Sequence, residues 1–276
     1  MSSGDERPPD DRAAKEPMKD SNAVSTHQPP AVNGVPGEGL FRQVTDRIAR
    51  GIVSGALPTG ELIPNEDDLR SEISVSRTAY REAVRFLAAK GLIAARPRSG
   101  TRVTPREAWN LLDPDVLHWF FSTGVDDRFV HDLYELRLFI EPNTARLAAE
   151  RRSPEQLRAI EEALIGMEDH PPFSEANILA DIAYHQAVIT AACNPAVYCL
   201  RNVVSETVRW SVRQQVAHGP RPYLIALADH RRVYDAIVAG DSERAGAMMR
   251  VIVVESLHHT LSAVHRARNH HIGEEK

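Results

Sequence analysis

The feature that most constrains this chain is a succession of three short helix signatures and a basic hairpin signature packed into the stretch from Leu40 to Val103. Phe41, Val44, Ile48 and Ile52 recur at spacings of three and four, giving one helix an apolar face that ends at Gly55, with Pro58 soon after. In Ile63-Pro64-Asn65-Glu66-Asp67-Asp68-Leu69, Asn65 is placed to cap a second, short helix. Its three carboxylates fall in the first turn, where the positive end of the helix dipole favours them. Ser76 caps a third helix, within Val75-Ser76-Arg77-Thr78-Ala79-Tyr80-Arg81-Glu82-Ala83-Val84. Tyr80, Val84, Leu87 and Ala88 are its expected buried stripe, while Arg77, Arg81 and Arg85 repeat every four residues on another face. Gly91 to Ala95 then reads as a strand, Arg96 to Gly100 as a turn and Thr101 to Thr104 as the returning strand. The pattern predicts a winged helix-turn-helix with a basic wing tip.

Three guanidinium groups on one exposed row suit phosphates and guanine edges of duplex DNA. An arginine row alone is more often a solvated helix face; cap, row and wing together point to DNA. At these residues the chain resembles the GntR family of bacterial transcription regulators. The family's N-terminal winged helix carries a pattern close to L-P-x-E, then V-S-R-x-x-x-R-E-A-(L/V), a G-L-I strand and a glycine-bearing wing. The matching residues are Ile63-Pro64-Asn65-Glu66, Val75-Ser76-Arg77, Arg81-Glu82-Ala83-Val84, Gly91-Leu92-Ile93 and Ser99-Gly100-Thr101. Asp67 stands where several relatives place a DNA-contacting arginine, so their operator sequence does not carry over. The resemblance implies Ser76, Arg77, Thr78 and Arg81 as recognition-helix contacts, and Arg98 with Gly100 as the wing contacts.

The net charge of −5 looks wrong for a DNA binder until it is divided along the chain. Gly39 to Thr104 carries eleven Lys or Arg against seven Asp or Glu; residues 105–276 carry eighteen against twenty-four. The basic excess therefore sits in the expected DNA-binding segment. With 276 residues and 42% apolar content, two modest domains are expected. Two cysteines, Cys193 and Cys199, make no disulfide framework, and no uncharged apolar run reaches the roughly 18 residues that span a bilayer. No apolar signal core stands at the N-terminus, so a reducing cytoplasm is the expected setting. Residues 1–38 are rich in Pro, Ser, Asp and Glu and are expected to form a disordered tail.

The winged-helix domain is assigned to residues 39–104 and a linker to 105–114. An all-helical domain is assigned to 115–268, with a short tail at 269–276. Leu133, Leu136, Phe139 and Ile140 mark one apolar face, continuing past Pro142 to Leu147 and Ala148. Ser153 and Pro154 open a helix with Leu157, Ile160, Leu164 and Met167. Further helices are expected over 173–193, 195–217, 222–239 and 242 to about 268. The predicted fold is thus mainly α: a winged helix-turn-helix followed by an antiparallel bundle of six or seven helices, large enough to enclose a ligand.

Within the bundle, Asp181 and His185 lie four apart and project from one helix face. His230 becomes a third donor if its helix faces theirs. An aspartate with two histidines suits a divalent transition metal with positions left for an acid's oxygens, although a surface pair or a hydrogen-bonded core histidine is also compatible with the spacing. These residues resemble the FadR subfamily, whose effector domain is known as FCD: D-x-x-x-H on one helix, H-R near the start of a later one, and a further histidine twenty-two residues on. Here the last position is Ile252. His258 and His259 lie roughly 9–10 Å further along at 1.5 Å per residue. The resemblance implies a zinc or nickel site on Asp181, His185 and His230. Arg137 falls in the family's Arg-x-x-x-Glu-Pro and is implied as the anchor of an acidic metabolite, through two parallel hydrogen bonds; an internal salt bridge to Glu141 is the other reading.

Trp109-Asn110-Leu111-Leu112-Asp113-Pro114-Asp115-Val116-Leu117-His118-Trp119 is similar to the linker of galactonate-responsive repressors of the DgoR type. The expected function is a homodimeric, non-enzymatic repressor that binds a palindromic operator and is released by a carboxylate effector such as an aldonate. It senses that effector through Arg137, Asp181, His185 and His230. An activator, a regulator sensing a fatty acyl group, and a small metal-dependent hydrolase are the alternatives.

Overall fold

A computed structural model of the chain describes residues 38–70, 73, 76–216 and 220–274. The expected N-terminal tail lies outside the described residues up to position 37, as do Val75 of the head motif and Ala217.

The head is built from helices α1 (Glu38–Val53), α2 (Glu66–Arg70) and α3 (Arg77–Ala89) and the hairpin β1 (Ile93–Arg96) with β2 (Gly100–Val103). Val44, Ile48 and Ile52 of α1 are buried against Leu87, Leu92 and Val103. The Asn65 side-chain oxygen accepts from the N–H groups of Asp67 (2.8 Å) and Asp68 (3.0 Å), and the Asp68 carboxylate accepts from the Asn65 N–H at 2.8 Å. Ser76 Oγ accepts from the Ala79 N–H at 3.2 Å, so both predicted caps form. The buried stripe of α3 is displaced from the expected one: Ala79, Ala83 and Leu87 are buried, Tyr80 and Val84 half-buried, and Ala88 exposed. Two alanines let α1 approach closely, and Tyr80 turns aside to donate its hydroxyl to Pro64 O at 2.9 Å.

The hairpin pairs Ile93 with Val103 and Arg96 with Gly100. The segment before α2 bonds to the other edge of β2, through Gly60 N–H to Val103 O (2.9 Å), Val103 N–H to Glu61 O (3.0 Å) and Ile63 N–H to Thr101 O (3.1 Å). The wing is therefore fixed from both sides up to its tip.

The expected linker over 105–114 is ordered and leads into a helix. A 3₁₀ turn (Arg106–Ala108) precedes α4 (Pro114–Thr123), which Asp113 caps with Pro114 in the first turn. Lys90, at the end of α3, reaches Asp113 and Asp115 at 2.7 Å each. Trp119 Nε1 donates to Asp46 Oδ1 of α1 at 2.8 Å, and Phe121 stacks on Trp210 at a 4.7 Å centroid separation. Through these contacts α4 is tied both to the head and to the bundle.

The bundle comprises α5 (Asp127–Arg151), α6 (Pro154–Asp169), α7 (Glu175–Ala191), α8 (Pro195–Tyr198), α9 (Arg201–Gln215), α10 (Pro220–Ala239) and α11 (Ser242–Glu274). Two expected boundaries change by more than two residues. The single helix read over 195–217 pauses at Cys199 and Leu200 between α8 and α9, and α11 continues past Arg268 because no glycine or proline intervenes before Gly273. Ser153 and Gln156 form a reciprocal capping box at α6. Long α5 packs along α11, α6 along α7, and α10 along α11, with α9 against α7 and α11. Among the described residues no helix is long and apolar enough to cross a membrane.

Candidate functional site

On the head, Ser76, Arg77, Thr78 and Arg81 are all exposed on the first two turns of α3. The Ser76 hydroxyl accepts a helix N–H, which leaves its own hydrogen available as a donor. Arg77 Nε lies 3.7 Å from Glu66 Oε2, and Arg85 pairs with Glu82 of its own helix at 2.8 Å. Arg81 makes no ion pair among the described residues. Arg98 and Gly100 are exposed at the wing tip, both in the left-handed region with φ of 62° and 78°. For Arg98, which carries a Cβ, that conformation is strained. A Cβ on Gly100 would meet Leu62 Cδ2 at 2.8 Å. Asp67 is exposed at the start of α2.

In the bundle, Arg137, Asp181, His185 and His230 come together as buried residues lining one cavity of about 130 Å³. Helix α5 supplies Arg137, α7 supplies Asp181 and His185 one turn apart, and α10 supplies His230. The facing of α7 and α10 that the spacing required is met, with Tyr184 donating its hydroxyl to the His230 carbonyl at 2.8 Å.

Asp181 Oδ1, His185 Nε2 and His230 Nε2 stand at the corners of a triangle whose three edges are each 3.4 Å. The far side of each ring faces an acceptor. His185 Nδ1 is 2.6 Å from Glu141 Oε2, a charge contact off the N–H direction, and His230 Nδ1 is 2.6 Å from Ala226 O. A proton on each Nδ1 leaves both Nε2 lone pairs converging with a carboxylate oxygen that has no hydrogen-bond partner. Three lone-pair donors meeting in a buried place call for a positive species between them. Corners of a tetrahedron around an ion with bonds of about 2.1 Å are about 3.4 Å apart, so the donor set and its spacing fit a zinc-like ion.

Without an ion, protons do this work. Burial pushes His185 down, but Glu141 and Asp181 outweigh it and hold the imidazole up at about 9. Burial pushes Glu141 up, but Arg137 and His185 bring it to about 2. Asp181 is likewise held well below the carboxylate range against its burial by the two histidines.

Arg137 meets both sequence readings at once. Its Nε and Nη2 donate to the Glu141 carboxylate, the second at 3.4 Å, so the two-pronged edge is used internally. Nη1 is buried without a partner. The expected fork for a ligand carboxylate is therefore reduced to one nitrogen. Ile252 lines the cavity where the resemblance expected a fourth ligand, and His259, which sequence reasoning set aside, lines it too. Not read from the sequence were the cavity-lining roles of Val208, Ser211, Val212 and Gln215 on α9 and of Glu255 and Ser256, which share the face of Ile252 and His259 on α11. Both sets follow the 0, 3, 4, 7 spacing of one helix face, a signal present in the sequence but masked by its mixed polarity.

Comparison with known proteins places both parts. The family of bacterial regulatory proteins named gntR matches residues 40–103, and the FCD domain family matches residues 132–255. The chain is 35% identical over 217 residues to the galactonate operon transcriptional repressor of Escherichia coli K12, covering 77% of this chain and 94% of that protein. It is 30% identical over 218 residues to the putative L-lactate dehydrogenase operon regulatory protein of the same organism, covering 76% and 82%. The fold is similar to that in a solved structure titled "Lar controls the expression of the Listeria monocytogenes agr system and mediates virulence", with a TM-score of 0.60 at 18% identity over 81% of this chain and 97% of that one.

Proposed function

The chain belongs to the gntR family of bacterial regulatory proteins, as a DNA-binding transcription regulator with an FCD domain and not an enzyme, and on that premise we propose that it represses an operon for sugar-acid use. It acts in the cytoplasm as a homodimer, whose two recognition helices enter the half-sites of a palindromic operator. Arg77 and Arg81 read base edges or phosphates, Ser76 and Thr78 hold the backbone, and Arg98 and Gly100 set the wing against it.

The effector is a carboxylate, an aldonate in the first instance, in keeping with the galactonate and lactate operons named for its relatives. The single observation that carries this reading is the unpartnered Nη1 of Arg137 lining the same cavity as the Asp181, His185 and His230 triangle. Those three residues would hold zinc or nickel, which when bound supplies positive charge and open positions for an acid's oxygens. Counting charges, Arg137 and a divalent ion give three positive units against two negative from Glu141 and Asp181, a net of +1 that suits a monocarboxylate. Glu141 orients both Arg137 and His185.

Release follows if the acid prefers the arrangement in which the heads no longer match the operator spacing. The test is fluorescence anisotropy of labelled promoter DNA with the full chain, titrated with aldonates after chelation and again with zinc. Dissociation of the complex by micromolar to millimolar aldonate supports the reading. A complex indifferent to every acid in both metal states rejects it.

A further inference from the structure

The cavity is chemically lopsided. One part of its wall holds the Arg137 Nη1 donor and the three-residue cluster, while α9 and α11 contribute Ser211, Gln215, Glu255 and Ser256 set among apolar Val208, Val212 and Ile252. The bonds these side chains make within the chain leave acceptors over. Ser211 gives its hydroxyl hydrogen to Val208 O at 3.0 Å, so lone pairs remain. Gln215 donates from Nε2 to Thr260 Oγ1 at 3.3 Å, which leaves its amide oxygen. Glu255 is exposed, lines the cavity and makes no ion pair among the described residues, although its charge acts on His259 one turn along the same wall. Asp229, the other acid added to the wall, is already paired with Arg232.

We infer that this acceptor-rich wall reads the hydroxyl groups of the effector's tail and that Glu255 rejects a second carboxylate, so the cavity selects polyhydroxy monocarboxylates. This rests on the sugar-acid reading above and sharpens it. A chain of O–H donors satisfies Ser211 Oγ, the Gln215 amide oxygen and the Glu255 carboxylate together. An acyl chain would leave the first two dry, at the cost of unmade hydrogen bonds. A short hydroxy acid leaves them to water and gains nothing from them. A dicarboxylate of the same length would set its second charge against Glu255, a repulsive element of the kind that specificity requires.

The test is calorimetric titration of the full chain in one buffer with galactonate, with galactarate, its dicarboxylate counterpart, and with lactate. We expect galactonate to bind about tenfold or more tightly than either of the others. Glu255→Gln should bring galactarate to within about threefold of galactonate and leave lactate unchanged. Gln215→Leu should weaken galactonate about tenfold, again without touching lactate. Operator binding by each variant establishes that it is folded. Equal affinity for galactonate and galactarate in the wild type, or a uniform loss for all three acids in Glu255→Gln, overturns the tail assignment alone. If none of the acids binds, the sugar-acid reading falls with it.

Discussion

His185 Nε2 and His230 Nε2 face each other at 3.4 Å in the buried centre of the bundle, each 3.4 Å from the same Asp181 oxygen. Two imidazoles and a carboxylate converge in this way around a cation or a shared proton, and the occupant sets most of the site's behaviour.

One equivalent of zinc is therefore expected per chain. His230→Ala and Asp181→Asn should abolish stoichiometric binding, because two remaining donors hold an ion far less tightly than three. Glu141→Gln keeps every ligand but loses the group that faces His185 Nδ1, and should weaken zinc about 10–100-fold. Competition with a chromophoric chelator reads all three.

Metal-free protein should lose stability as pH rises. The His185 pKa is raised from 6.5 to about 9, so its contribution is fully present below 6.5 and disappears as pH passes through 9. The change is on the order of 3 kcal/mol for a shift of this size. Glu141, held near 2, stays ionised throughout that window. Denaturation midpoints in a chelator between pH 6.5 and 9.5 should fall for the wild type and stay level for His185→Gln; parallel slopes would disprove the assignment.

Arg137→Lys separates the two roles of the guanidinium. The ammonium keeps a positive charge beside Glu141, whereas complete removal in Arg137→Ala strands a buried carboxylate at a cost of about 3–5 kcal/mol. Both variants lack Nη1, so neither should be displaced from the operator by aldonate. Anisotropy titrations distinguish this from a loss of fold, since Arg137→Lys should still bind DNA.

Gly91 fixes the join between α3 and the segment that leads to α4. Its φ is 78°, and a Cβ there would lie 2.0 Å from Ala108 O, a backbone atom with nowhere to go. Gly91→Ala should cost about 2 kcal/mol or more, from strain and displacement combined. Thermal unfolding measures it, and a midpoint within a degree of the wild type would show that the linker yields freely.

The local chemistry of the head was legible because caps and turns depend on neighbours in sequence. Asn65, Ser76 and the wing glycine sit as their residue types require. The rotation of α3 was not, because Ala79 and Ala83 carry little hydrophobic signal, although close approach of α1 selects them for burial. In the bundle, Asp181 and His185 were legible from chemistry at helical spacing, and His230 through the resemblance to the FCD pattern. The Arg137 Nη1 left over by Glu141 depends on side-chain orientation, which no spacing encodes. Helix α4 starts where the expected linker ends and was not among the helices read from the sequence, although Asp113 and Pro114 announce its start.

The most direct test of the central claim is binding of the full chain to its own promoter fragment against random fragments of equal length at moderate salt, for the wild type and Arg81→Ala. Arg81 is the arginine of that helix row without an ion pair among the described residues. We expect the wild type to prefer its promoter by at least about 10³-fold, and Arg81→Ala to lose about 1–3 kcal/mol of that preference while remaining dimeric. Equal binding of promoter and random DNA by the wild type, or an undiminished preference in Arg81→Ala, would contradict the assignment of α3 as the helix that reads the operator.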